Sequence, residues 1–273
     1  MGIKINIIFQ NDFAQIIVYH FGNRKNLTKK IIMKKKIIIL FTLFTICINA
    51  IAQKREAKEQ SASVSMAFGS NQFTTAFSYR YLWNFGKKNQ LQMGTGLRLT
   101  NNFGKNNYYI TAPAKLTSGK TGPAVLFADQ LNQNIDSVLF SKSQTNALNL
   151  TVNFGYKIND KWSVGFDIDA IGFSFGGSQQ GTYLGNAGIV AAANAKPTGF
   201  NWLLISDNDL GTLNSEFFAQ YNINQKWSAK LGFQFLFTEY TTDTNIQNTP
   251  TGDKNDRFRN KAGQISLGTT YKF

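Results

Sequence analysis

Along most of this chain apolar and polar residues alternate one for one, in segments of about ten residues, the period of a β-strand with two unlike faces. Between Phe73 and Phe85 one set of positions holds Phe73, Thr75, Phe77, Tyr79, Tyr81, Trp83 and Phe85. The interleaved set holds Thr74, Ala76, Ser78, Arg80, Leu82 and Asn84. Successive side chains of a strand point to opposite sides, so this segment has a greasy face and a mostly polar one. The pattern recurs at 91–103, 148–158, 162–168, 213–223, 227–237 and 265–273, and Val64, Met66 and Phe68 mark a first segment. Phe218 breaks its own segment. At Ala170 and Ile171 two apolar residues follow one another, and this slip predicts a β-bulge.

The connections alternate in length. Turns at 86–89, 159–161 and 224–226 are short, whereas 104–146, 176–211 and 241–257 are long and mostly polar; a brief loop at 69–72 joins the first two segments. Short turns on one side and long loops on the other predict an all-β fold, an up-and-down antiparallel barrel of about eight strands. A weak internal repeat supports hairpins as the unit: the run from Tyr156 to Ser163 closely matches that from Tyr221 to Ser228, each around a short turn.

Alternation by itself leaves open which face is enclosed, because soluble sandwiches and lipocalin-like barrels point the apolar side inward. The aromatic residues favour the inverse. Trp83, Trp162 and Trp227 lie beside the short turns, together with Tyr81, Tyr156, Tyr221 and Tyr271. Indole and phenol rings suit a bilayer interface, where an apolar body and a polar tip are both satisfied. The expectation is therefore a transmembrane barrel with a periplasmic aromatic girdle, periplasmic short turns and long extracellular loops.

The N-terminal region reads as export machinery. Met33 is followed by three lysines, then an apolar run closed by Ala50-Ile51-Ala52 before Gln53, the three parts of a secretory signal. Residues 1–32 are expected to be an over-extended gene start, 33–52 a signal peptide cleaved near Ala52-Gln53, 53–60 a short periplasmic lead-in, and 61–273 the barrel. The expected location is the cell outer membrane. Ile46 precedes Cys47 where a lipoprotein signal demands a small residue, so lipid attachment there is not expected. Removing the leader removes Cys47 and His20, the chain's only cysteine and histidine. Most routes to nucleophilic, thiolate-metal or zinc chemistry go with them, so no enzyme, cofactor or metal is expected.

The formal charge of +14 falls after Gln53 to 21 Lys and Arg against 14 Asp and Glu, a net +7. The excess is scattered, and export removes the chain from nucleic acid. It fits contact with outer-membrane lipid headgroups and lipopolysaccharide phosphates.

The terminal run Ile265-Ser266-Leu267-Gly268-Thr269-Thr270-Tyr271-Lys272-Phe273 resembles the C-terminal assembly signal of outer-membrane proteins, which ends in an aromatic residue. Residues 61–273 resemble the small outer-membrane barrel families, OmpA/OmpX-like in strand number, and the Asn-, Lys- and Ile-rich style is similar to barrel proteins of Bacteroidetes. The resemblance implies that the barrel-assembly machinery reads Leu267, Thr269, Tyr271 and Phe273.

Charged residues on the polar face are Arg80, Arg98, Lys157 and Lys230 against Asp167, Asp169 and Glu216. An eight-stranded barrel has an interior that side chains fill, so these are expected to form an ion-pair network. Asp167 and Asp169 also suit a coupled carboxylate pair, and Asp207-Asn208-Asp209 and the cluster Asp243, Asp253, Asn255 and Asp256 offer oxygen ligands; paired lumen charges and solvated loops explain both without chemistry. Apolar loop residues at 183–195, 200–205, 108–109, 125–127 and 138–140 either fold on themselves, extend strands into a fifth hairpin, or cover an envelope partner. The functional expectation is a non-enzymatic barrel acting through its surface loops as a structural, adhesive or complex-forming component. The competing expectation is a transport barrel for small solutes or hydrophobic compounds.

Overall fold

The computed structural model describes residues 58–273, with 87, 187 and 251 excepted. The expected gene-start segment, signal peptide and residues 53–57 lie outside the described residues. The described residues form an antiparallel sheet of eleven strands and a separate two-stranded hairpin.

Eight strands carry the alternating segments: β1 (Lys58–Gly69), β2 (Gln72–Phe85), β3 (Leu91–Thr111), β4 (Ser137–Lys157), β5 (Trp162–Phe175), then β9 (Leu213–Asn222), β10 (Trp227–Thr242) and β13 (Arg257–Lys272). Between them lie β6 (Gln179–Leu184), β7 (Val190–Pro197), β8 (Phe200–Trp202), β11 (Gln247–Asn248) and β12 (Lys254–Asn255). The pairings run β1–β2–β3–β4–β5–β9–β10–β13 and return to β1, so these eight close a ring. β1 opens at Lys58, three residues before the expected start of the alternation at Ser61.

The polar set points into this ring. Ser63, Ser78, Arg98, Asn149, Asp167 and Gln234 are buried, whereas Met66, Phe77, Leu97, Leu150, Phe217 and Leu231 are about half exposed. The short turns repeat one piece of chemistry, which accounts for the repeat in the sequence. The Asn159 side-chain oxygen accepts from the backbone N–H of Lys161 and Trp162, and Asn224 does the same for Lys226 and Trp227, all at 2.8–2.9 Å. Leu150 pairs with Ile171 and Thr151 with Asp169, leaving Ala170 as the bulge.

The three stretches read as long loops are in part strand. β3 and β4 continue as a paired ribbon as far as Ile110 opposite Ser137. Here they change sides: buried positions pass from Thr100 and Asn102 to Asn107 and Tyr109 on β3, and from Ser143 and Thr145 to Val138 and Phe140 on β4. Asn106, at φ 54°, sits at the switch. The stretch 176–211 holds the β6–β7 hairpin and β8, the fifth-hairpin alternative, while 241–257 holds the end of β10 and the β11–β12 hairpin.

These extensions close a second ring. β3 pairs with β13 above the tight β1–β2 turn, β4 with β6, β6 with β7, and β7 with β10, which still pairs with β13. Six strands thus form a ring stacked on the first, and its filling is apolar. Tyr109, Val138, Phe140, Tyr183, Ala193, Ala195, Tyr240 and Phe258 form one buried cluster. The Tyr109 ring lies 5.1 Å from Phe140 and 5.2 Å from Tyr240, both edge-on, an arrangement that ring quadrupoles favour. One chain therefore carries a polar filling in the wide ring and an apolar one in the narrow ring.

Candidate functional site

The interior of the eight-stranded ring gathers six charged side chains. Neighbouring strands β2 and β3 bring Arg80 and Arg98 inward, and β5 faces them with Asp167 and Asp169. Arg98 lies 3.4 Å from Asp169 and 3.9 Å from Asp167, and Arg80 lies 3.7 Å from Asp167. Shorter contacts come from amides: Asn153 donates to Asp167 at 2.8 Å and Asn149 to Asp169 at 2.7 Å. The backbone N–H of Asn214 donates to Asp169 at 3.0 Å. Beside this group Lys230 of β10 meets Glu216 of β9 at 2.9 Å, with both side chains 2% exposed, and the Ser266 hydroxyl donates to Glu216 at 2.8 Å. Three cations stand against three anions, which suits an interior that excludes bulk water.

Phe218, the exception in its segment, points inward and joins the two groups. Its ring centroid lies 5.0 Å from the Arg80 guanidinium carbon and 5.0 Å from Lys230 Nζ. Gly165, its cross-strand partner, makes the room: a Cβ there would sit 2.3 Å from the end of the Phe218 ring.

Lys157 does not belong to this network. It forms a separate tier at the short-turn mouth, 2.9 Å from Glu59, with Lys272 3.7 Å from the same carboxylate. Sequence reasoning missed Glu59 because it lies ahead of the first clear alternation, and Lys272 because it closes the last strand. Counting two residues back from Ser61 on the inward set is the signal that finds Glu59. Between the tiers is a cavity of about 20 Å³, lined in part by Glu59, Arg80, Lys157, Asp167 and Phe218, with room for about one water. At the other end the apolar cluster of the six-stranded ring covers the network.

Two of the loop carboxylates, Asp207 and Asp253, face cations, as does Glu239 near the end of β10. Asp207 meets Lys261 and Arg259, Asp253 lies 3.5 Å from Lys115, and Glu239 takes Arg257 at 2.8 Å and Arg259 at 2.7 Å. Asp136, on the loop before β4, accepts from the Tyr183 hydroxyl at 2.5 Å and from the Asn186 backbone at 2.8 Å. Burial first, and the Asp136 carboxylate second, push the Tyr183 hydroxyl well above the usual phenol range.

On the outer surface the seven aromatics named from the sequence cluster at the short-turn end. Trp227 packs edge-on against Tyr271 and Tyr81 against Trp83, and Trp162 is tilted against Tyr221, each with ring centroids 5.0 Å apart; Tyr156 is exposed opposite Leu91. Leu267, Thr269, Tyr271 and Phe273 share the outward face of β13, and the Phe273 N–H donates to the Gln60 carbonyl at 3.0 Å.

No family model matches this chain, and no curated protein matches it. Solved structures with some likeness include Neisserial surface protein A, with 9% identity over 79% of this chain and 96% of that one, at a TM-score of 0.33. The attachment invasion locus protein Ail of Yersinia pestis, in complex with the heparin analogue sucrose octasulfate, shows 10% identity over 79% and 97% at 0.31. A major outer membrane protein from Thermus thermophilus shows 13% identity over 80% and 100% at 0.35. Likenesses this weak carry no argument, and the two rings stand on their own strand register.

Proposed function

We propose that this chain is an exported outer-membrane β-barrel with a sealed lumen. It works through its long-loop face as a structural, adhesive or complex-forming component of the cell envelope. The observation that carries the reading is the double closure: a charge-balanced network fills the wide ring, and a packed aromatic cluster caps it. A transport barrel needs a continuous path. A cavity of about 20 Å³ beneath a cap of packed rings is too small to be one; the eight pairings close the lower wall, and where the β5–β9 pairing ends at Ile168 and Ser215 the wall is continued by β8 beside β5.

Membrane residence rests on the outward face. Side chains such as Phe68, Phe77, Phe217, Leu231 and Leu267 are more than half exposed around the ring. An apolar belt of that extent is unfavourable in water and is what hydrocarbon requires. The aromatic girdle then marks the periplasmic interface, the long loops face outward, and outer-membrane lipid and lipopolysaccharide are the surrounding partners. Leu267, Thr269, Tyr271 and Phe273 serve as the assembly signal. No residue is assigned a catalytic role.

Planar-bilayer recording tests the reading. Purified protein is expected to give no unitary conductance; reproducible steps lost on altering Arg98 or Asp167 would overturn the sealed lumen. Solubility of the folded protein without detergent would overturn membrane residence.

A further inference from the structure

Residues 202–210 were expected to be extracellular loop, and the structure gives them a different surrounding. β8 lies in the wall of the eight-stranded ring beside β5, with Phe200 opposite Phe173 and Trp202 opposite Ile171. These four side chains therefore share the outward face. After Trp202 the backbone leaves the wall, makes one short 3-10 turn at Ser206–Asn208, and rejoins it through a bridge between Trp202 and Leu210.

Within that excursion the charged residues turn toward the wall and the apolar ones away from it. Asp207 pairs with Lys261, and Arg257 and Arg259 both donate to the Asp209 carbonyl. Glu239 completes this group, with its side chain and that of Arg259 at most 1% exposed. Trp202, Leu204 and Ile205 instead face out, 40–50% exposed. Four of its backbone donors, those of Leu203, Leu204, Asn208 and Asp209, are also satisfied within the protein. Leu203 N–H donates to the Ala170 carbonyl at 2.8 Å, Asn208 to Ile205 at 3.3 Å and Asp209 to Ser206 at 3.1 Å. Leu204 N–H donates to the Asp209 carboxylate at 2.6 Å. Internal satisfaction of polar backbone, with charge turned inward and apolar side chains outward, is what a low-dielectric surrounding demands.

The position agrees. Asp207 meets Lys261, which is the register partner of Phe237, one outward row beyond the exposed Phe235. Counted from the Trp227–Tyr271 pair, Phe237 lies ten residues up its strand, the length that takes a tilted strand across hydrocarbon, about 9–11 residues. We infer that 202–210 is an interfacial segment laid against the outer-leaflet hydrocarbon, continuous with the apolar belt, and that Arg257, Arg259, Glu239 and Asp207 are the lock that holds it down. The inference rests on the outer-membrane reading. It also withdraws this stretch from the surface available to an envelope partner.

The test places one thiol at a time in a Cys47→Ser chain: Ile205→Cys, Leu204→Cys as a second site, Phe233→Cys in the belt and Thr244→Cys in a water-facing loop. Each is labelled with an environment-sensitive fluorophore and folded into phosphocholine vesicles with or without bromine on the upper acyl chain. Probes at 205 and 204 are expected to lose about half their emission to bromine, as for groups seated about 5–10 Å inside the interface, and to resist aqueous quencher. Quenching at 233 alone, with 205 and 204 as open to aqueous quencher as 244, would overturn the inference and leave the barrel standing. Absence of bromine quenching at 233 as well would overturn the barrel reading itself. A blue-shifted 205 probe that ignores bromine and tracks protein density would assign the surface to a second copy, and so also overturn it.

Discussion

Replacing Lys230 by methionine asks whether the interior is dry. The side chain keeps most of its length but loses the ammonium that sits 2.9 Å from Glu216 and over the Phe218 ring. Glu216 keeps the Ser266 hydroxyl at 2.8 Å and the more distant attraction of Arg98, but with its side chain 2% exposed its charge cannot turn to solvent. Stranding one member of a buried pair costs about 3–5 kcal/mol, whereas a pair in a water-filled channel would behave like a surface pair at about 0–1 kcal/mol. Adding Glu216→Gln removes the stranded charge and preserves the Ser266 contact. The double variant is expected to recover to within about 1–2 kcal/mol of wild type. Urea unfolding in lipid vesicles, followed by tryptophan emission and by heat-modifiable gel mobility, measures all four corners of the cycle. A single-variant loss under about 1 kcal/mol, or a double variant no better than the two losses added, would refute the dry, charge-balanced interior and with it the sealed lumen.

The upper closure makes its own forecast: Phe140→Ala removes a ring packed on Tyr109 and Tyr240 and should cost about 3–5 kcal/mol. Hydrogen exchange should then accelerate in β6 and β7 before it does in β1 or β2; uniform acceleration would contradict two separately filled rings. Gly165→Ala drives a methyl into Phe218 and should cost about 1–3 kcal/mol in the same unfolding assay, with Phe218→Leu restoring most of it. No loss on the glycine change would mean that the ring is not seated as described. The Tyr183 hydroxyl holds its proton more tightly folded than unfolded. Its contribution is therefore whole below its ordinary value of 10.0 and is lost as pH rises beyond it. Wild type should lose stability above that pH more steeply than Tyr183→Phe, and equal slopes would remove Tyr183 from the account.

Much of the lower ring was legible because a strand repeats every two residues. Given Phe73 through Phe85, the side on which Arg80 falls is settled locally, and the same parity places Arg98, Asp167, Glu216 and Lys230 on one surface. The Asn-Trp turns were legible as a repeat because each is closed by its own side chain, and the slip at Ala170 because a bulge is a local fault in parity. Even the odd Phe218 was visible as an exception, although its use was not: that depends on Gly165, which is adjacent only across the sheet.

What the tertiary structure decided is which strands stand beside one another, and at what height. Parity says that Arg98 and Asp167 point the same way, but only the ring brings them within reach and sends Lys157 to Glu59 instead. The upper ring was hidden for the same reason. At Asn106 and Ser141 the β3–β4 ribbon changes sides, so Tyr109 and Phe140, read alone, look like apolar loop residues. They become core only because β6, β7, β10 and β13, distant in sequence, close around them. Alternation along a strand is written in neighbouring residues, whereas burial depends on what the folded chain places opposite each face.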